Sequence, residues 1–159
     1  MTDVANLFDA PRARDDGDPP GYEVPYARIG PLVGGAALGM SVYELAPGNS
    51  VCPYHFEYPD EEWLIVLEGT PTLRDPDGET VLEPGDVVCF PSGPEGAHKL
   101  TNHAAGTVLV AMLSTKATTA VTVYPDSDKV GVWSDDGEVK HLFPRSAAVD
   151  YWHDEPLMR

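Results

Sequence analysis

Cysteine is scarce in this chain: Cys52 and Cys89 are the two among 159 residues. Two thiols so far apart build no disulfide framework and lack the paired spacing of a zinc knuckle or a redox dithiol, so both read as small, buried apolar residues. Positive charge is scarce as well. Ten Lys and Arg stand against 26 Asp and Glu, a formal net charge of -16. Such a field repels phosphate backbones and anionic membrane surfaces, which argues against nucleic acid and membrane as partners. Long apolar runs are missing too. No stretch approaches the ~20 apolar residues that span a bilayer. Met1 to Asp18 has neither the basic flank nor the apolar run of a signal peptide. Together these absences predict a soluble, cytoplasmic protein.

What the chain does contain is turn chemistry. Its length suits one domain. Residues 1–20 hold Asp3, Asp9, Asp15, Asp16 and Asp18 with Pro11, Pro19 and Pro20, a composition predicting a flexible acidic arm. From Gly21 onward, short runs rich in Val, Leu, Tyr and Thr are punctuated by Ala46-Pro47-Gly48, Glu68-Gly69, Asp75-Pro76-Asp77-Gly78, Glu83-Pro84-Gly85 and Pro91-Ser92-Gly93-Pro94. Turns at such close spacing predict an all-β sandwich or barrel. The expected strands are Leu38 to Leu45, Val51 to Glu57, Glu62 to Leu67, Thr70 to Arg74, Glu79 to Leu82, Asp86 to Phe90, His98 to Asn102, Thr107 to Ser114 and Val121 to Tyr124. A short helical turn is expected at Ser146 to Asp150, with Ser146 as its cap. The organisation is therefore an arm over 1–20, a barrel over 21–120, and a C-terminal β extension over 121–159 that packs on the barrel or on a partner subunit.

Alternate strand residues share a face, so His55 and Glu57 project together. Pro59 and Asp60 turn the chain back, and Glu62 opens the next strand. On that strand Glu62, Leu64 and Val66 share one face, and Trp63, Ile65 and Leu67 share the other. Both faces are apolar and need cover, from the chain's terminal arms or from a second subunit, and a homodimer is expected. The aromatics Trp133, Phe143, Tyr151 and Trp152 are candidates for that cover. His98 follows a Gly- and Pro-rich loop, and a barrel can bring it opposite His55, Glu57 and Glu62. Two buried carboxylates would repel each other, whereas a divalent cation neutralises both.

The run Gly48, Pro53-Tyr54-His55-Phe56-Glu57, Glu61-Glu62-Trp63-Leu64-Ile65-Val66-Leu67-Glu68-Gly69 resembles the first motif of the cupin superfamily. Gly85, Pro91, Gly93, His98 and Asn102 resemble the second. One extra residue separates Gly48 from His55, the gap from Gly93 to His98 is longer than usual, and Glu57 stands where the family pattern has its second histidine. The resemblance implies a double-stranded β-helix, the cupin or jelly-roll barrel. It also implies one divalent metal ion per chain on His55, Glu57, Glu62 and His98, as zinc, iron, manganese or nickel. A carboxylate in place of an imidazole favours harder ions over copper(I). An octahedral ion on four protein ligands keeps two positions for water or substrate.

The function implied is that of a metal-dependent enzyme on a small polar substrate, of oxygenase or isomerase type. The alternative is a non-catalytic cupin that binds or senses a small ligand. No separate catalytic residue stands out. His103, His141 and His153 read as surface residues, Glu61 as solvated, and Tyr54, Phe56, Tyr58 and Trp63 as packing aromatics. Arg74 has the acidic hairpin beside it as one partner and an anionic substrate as another.

Overall fold

The computed structural model describes residues 3–156. Met1 and Thr2 of the arm and Leu157 to Arg159 of the extension lie outside the described residues. Among the described residues twelve strands follow one another: β1 (Tyr26–Arg28), β2 (Leu38–Leu45), β3 (Phe56–Tyr58), β4 (Glu62–Glu68), β5 (Thr72–Asp75), β6 (Gly78–Val81), β7 (Val87–Phe90), β8 (Lys99–Thr101), β9 (Val108–Thr115), β10 (Thr119–Tyr124), β11 (Lys129–Ser134) and β12 (Lys140–Pro144). Helical structure among the described residues is confined to short 3-10 turns. One sheet has the order β1-β2-β9-β4-β7, a second β12-β11-β10-β3, and a third β6-β5-β8, all antiparallel. Bridges from Ser50 to Thr101 and from His55 to His98 run the segment before β3 alongside β8, joining the second and third sheets. The result is a two-layered jelly roll.

Most of the β-rich runs between turn signals form the strands expected, but Val51 to His55 bends and makes only the isolated bridge at His55, leaving β3 as Phe56–Tyr58. In the strands the pleat decides which side chains enter. Leu64 and Val66 of β4 are fully buried with Leu45, Leu100, Val108 and Val110 in the inner core. Each such side chain contributes about 1.5–3 kcal/mol of burial. Between β5 and β6, Asp75 Oδ1 accepts from the amides of Asp77 and Gly78 at 2.9 and 3.1 Å, closing the turn that the Asp-Pro-Asp-Gly run encodes. Gly69, at a φ of +78°, ends β4 where a Cβ would stand 2.8 Å from Thr107 O.

The outer face of the large sheet is covered in part by the N-terminal arm. Ala5, Leu7 and Ala10 of the arm join Val42, Ile65, Leu67, Leu109 and Ala111 in a second cluster. Ala13 bridges Tyr26, and Arg12 reaches Leu7 O, Phe8 O and, at 3.5 Å, Glu44. Its aspartates dominate the arm's composition, but these few apolar residues set its course over the barrel. The C-terminal aromatics cover little: Tyr151 and Trp152 are 82% and 72% exposed. Trp133 turns inward instead, and its indole N–H donates to Thr122.

Several local expectations are corrected. Cys52 is only partly buried and Cys89 is exposed, because the pleat of β7 turns Phe90 inward and Cys89 outward. The C-terminal turn is a 3-10 turn over Arg145–Ala147, so Ser146 lies inside it and does not cap it. Arg74 pairs with Asp126 at 2.6 and 2.9 Å and stacks its guanidinium 4.0 Å over the Tyr54 ring, tying the extension to the barrel.

Candidate metal centre

His55 lies just before β3 and His98 just before β8, and the antiparallel bridge between them sets their rings side by side, centroids 4.7 Å apart. Each imidazole places Nδ1 against a carbonyl two residues back: His55 on Pro53 O at 3.0 Å, His98 on Gly96 O at 2.9 Å. A carbonyl only accepts, so Nδ1 carries the hydrogen and Nε2 presents a bare lone pair. Both Nε2 atoms face Glu62, whose Oε2 is 3.7 Å from His55 and 3.5 Å from His98. Phe90 stacks on His98 at 3.7 Å between centroids, nearly parallel. Gly96 serves this geometry because a Cβ there would lie 1.9 Å from Pro91 O.

Charge and burial conflict at this point. Distances of 3.5 and 3.7 Å would allow ion pairs, but burial favours the neutral forms. Burial, with His55 adding to it, pulls His98 down to about 4 against the counteracting bond to Gly96. Burial also lowers His55, outweighing the nearby Glu57 carboxylate. Glu62 rises to about 8, from burial first and then from Glu57 and Asp60. His98 Nε2 is buried without any hydrogen-bond partner. Such an orphan is costly, and a cation supplies what it lacks. The donors of His55, Glu62 and His98 lie within 4.8 Å of one another, and two imidazole nitrogens with a carboxylate oxygen suit a divalent ion. The residues fit the group.

Glu57 stands at the edge of this trio. Its Oε1 is 4.0 Å from His55 Nε2 and accepts from Thr122 Oγ1 at 3.0 Å. The centre opens into a cavity of about 230 Å³ lined by His55 and Glu62 together with Ser41, Tyr43, Cys52 and Ser114, among others. Burial lifts Tyr43 to about 12 and also raises the Cys52 thiol, so both keep their protons at neutral pH. Sequence reasoning missed these wall residues, although Ser41 and Tyr43 share a face of β2 by strict alternation. His103, His141 and His153 are exposed and Glu61 is solvated, its carboxylate accepting from the Trp63 indole.

Residues 41–114 match the Cupin domain family. Over these residues the chain carries a cupin domain, and its fold is that of the cupin barrel. This cupin superimposes on the sugar phosphate isomerase of Silicibacter pomeroyi with a TM-score of 0.80 and 22% identity, over 91% of this chain and 94% of that one. A proposed sugar phosphate isomerase from Acidithiobacillus ferrooxidans gives 0.73 and 26%, over 88% and 83%. The polyketide cyclase of Streptomyces resistomycificus gives 0.59 and 22%, over 72% and 80%. No curated protein matches the cupin in sequence. Among the described residues no helix is long and apolar enough to cross a membrane.

Proposed function

We propose that this cupin is a metal-dependent enzyme of isomerase type acting on a small polyhydroxylated substrate, with His55, Glu57, Glu62 and His98 as the ligands of one divalent ion. The buried, unpartnered Nε2 of His98 facing Glu62 beside an open cavity carries this reading. Bound there, the ion would act as a Lewis acid on a substrate oxygen. The chain's own part is to bind and orient. Ser41, Tyr43 and Ser114 offer hydroxyls to substrate hydroxyls, and Met40, Val51, Met112 and Leu113 form the apolar walls that restrict water. No Lys or Arg lines this cavity. An adjoining cavity of about 290 Å³ shares Ser41, Tyr43 and Val51 and adds Arg28 with Asp15 and Asp18, a polar lining suited to substrate hydroxyls. The two isomerases among the similar structures support the reaction class. Exposed Leu38, Trp63 and Val87 support a homodimer, and the absence of an apolar run in the sequence supports the cytoplasm.

The test is elemental analysis of protein purified without chelator, followed by assays for interconversion of aldose and ketose sugars and their phosphates and for oxygen uptake. Stoichiometric metal with isomerisation that Glu62→Gln abolishes is expected. Oxygen uptake in its place would make the enzyme an oxygenase. Ligand-induced stabilisation without any turnover would make it a binding cupin, and protein free of metal under all conditions would overturn the proposal.

A further inference from the structure

The strand that carries Glu57 is held on one edge by the loop before His98, where the Gly93 amide donates to Glu57 O at 2.8 Å, and on the other by the C-terminal extension. It is three residues long, and its ladder partner is β10 of the C-terminal extension. Thr122 of β10 stands directly across from Glu57, so the two side chains share a face at the closest cross-strand spacing. Thr122 is 2% exposed. Its Oγ1 lies 3.0 Å from Glu57 Oε1 and 3.0 Å from Trp133 Nε1. An indole nitrogen only donates, so Thr122 accepts there, and its one hydroxyl hydrogen is directed at Glu57. An oxygen with two lone pairs gives one to Thr122 and keeps the other for the centre, where His55 Nε2 is 4.0 Å away. The indole is seated over Gly131, where a Cβ would stand 2.9 Å from the ring.

We propose that Trp133 and Thr122 form a positioning relay that presents Glu57 to the cation, so that the C-terminal hairpin sets the affinity and the ligand field of the centre. The proposal rests on the metal-centre reading above and adds two residues to it, neither of which touches the ion. Partners that orient a ligand typically govern about 10- to 100-fold in metal affinity.

The test uses the full chain stripped by chelator and titrated with cobalt(II), read by its visible spectrum and by competition with a chelating dye. Thr122→Val is expected to weaken cobalt binding about 10- to 100-fold and to shift the spectrum, while Thr122→Ser restores both. Trp133→Phe, which removes the indole donor together with one ring of the side chain but leaves the Thr122 hydroxyl in place, is expected to lose less than Thr122→Val. In a Glu57→Ala background, Thr122→Val is expected to cost nothing further, because a relay has no effect once its end is gone. Wild-type affinity and spectrum in Thr122→Val would overturn the relay while leaving the metal centre standing. Wild-type protein that takes up no cobalt would overturn both. If Thr122→Val fails to fold, Trp133→Phe decides: unchanged affinity and spectrum overturn the relay. Equal losses from Thr122→Val with and without Glu57 would also overturn it, since the effect would then be structural.

Discussion

His55 and His98 are hydrogen-bonded to each other through the backbone in both directions, the amide of each donating to the carbonyl of the other at 3.1 and 2.8 Å. The two imidazoles are thereby fixed as a pair without either ring nitrogen at the centre being used. Replacing one ring leaves the bridge intact, because the backbone makes it. His98→Ala and Glu62→Ala are therefore expected to fold with a native circular dichroism spectrum and to lose stoichiometric metal, whereas His103→Ala keeps it. Elemental analysis of the three proteins checks this, and equal metal in all would remove the centre from consideration.

The buried groups also set a pH dependence for the metal-free protein. Glu62, raised to about 8, is harder to ionise folded than unfolded. Its neutral form costs nothing below the unfolded pKa of about 4.5, and stability falls as pH rises from there toward 8. His98, lowered to about 4, resists protonation when folded. Its contribution is intact above about 6.5, and stability falls as pH drops from there toward 4. The two limbs leave a maximum of thermal stability at about pH 5–6 for the stripped protein. Metal needs the Glu62 carboxylate, so binding at pH 7 is expected to release about one proton. Calorimetry in buffers of different ionisation enthalpy measures that number, and zero release would contradict the burial of Glu62.

Gly96 offers a test of positioning. Gly96→Ala drives a methyl group into the Pro91 carbonyl and displaces the carbonyl that holds His98 Nδ1. A loss of about 1–3 kcal/mol is expected from such overpacking, and metal affinity should fall with it. Thermal melts with and without zinc separate the two effects.

Much of this was legible in the sequence, for stated reasons. Strand alternation put Leu64 and Val66 on one face, and the motif resemblance singled out His55, Glu62 and His98, which the His55–His98 bridge brings together with Glu62 of β4. Thr122 and Trp133 were not legible. Their tie to Glu57 depends on which strand pairs with β3, and a register linking residues 57 and 122 leaves no local mark. The course of the arm was hidden for a related reason: Leu7 and Ala10 are too few to show a period, yet they are enough to cover an apolar face once the arm lies across it.

Asp60 separates structure from charge in the loop between Glu57 and Glu62. Its Oδ1 accepts from Thr115 Oγ1 at 2.8 Å and from the Ala117 amide at 3.0 Å, joining that loop to the segment between β9 and β10. Asp60→Ala strips the acceptor from the part-buried Ala117 amide and Thr115 hydroxyl and is expected to cost about 1 kcal/mol. Asp60→Asn keeps the oxygen and removes the charge, so its melting temperature should stay close to wild type. The same charge helps to raise Glu62, after burial and Glu57. In Asp60→Asn the pH at which metal binding ceases to release a proton should therefore move down. A downward shift without loss of stability assigns Asp60 both roles, the acceptor keeping the loop in place and the charge acting on Glu62. An unmoved proton-release profile would leave it the structural role alone.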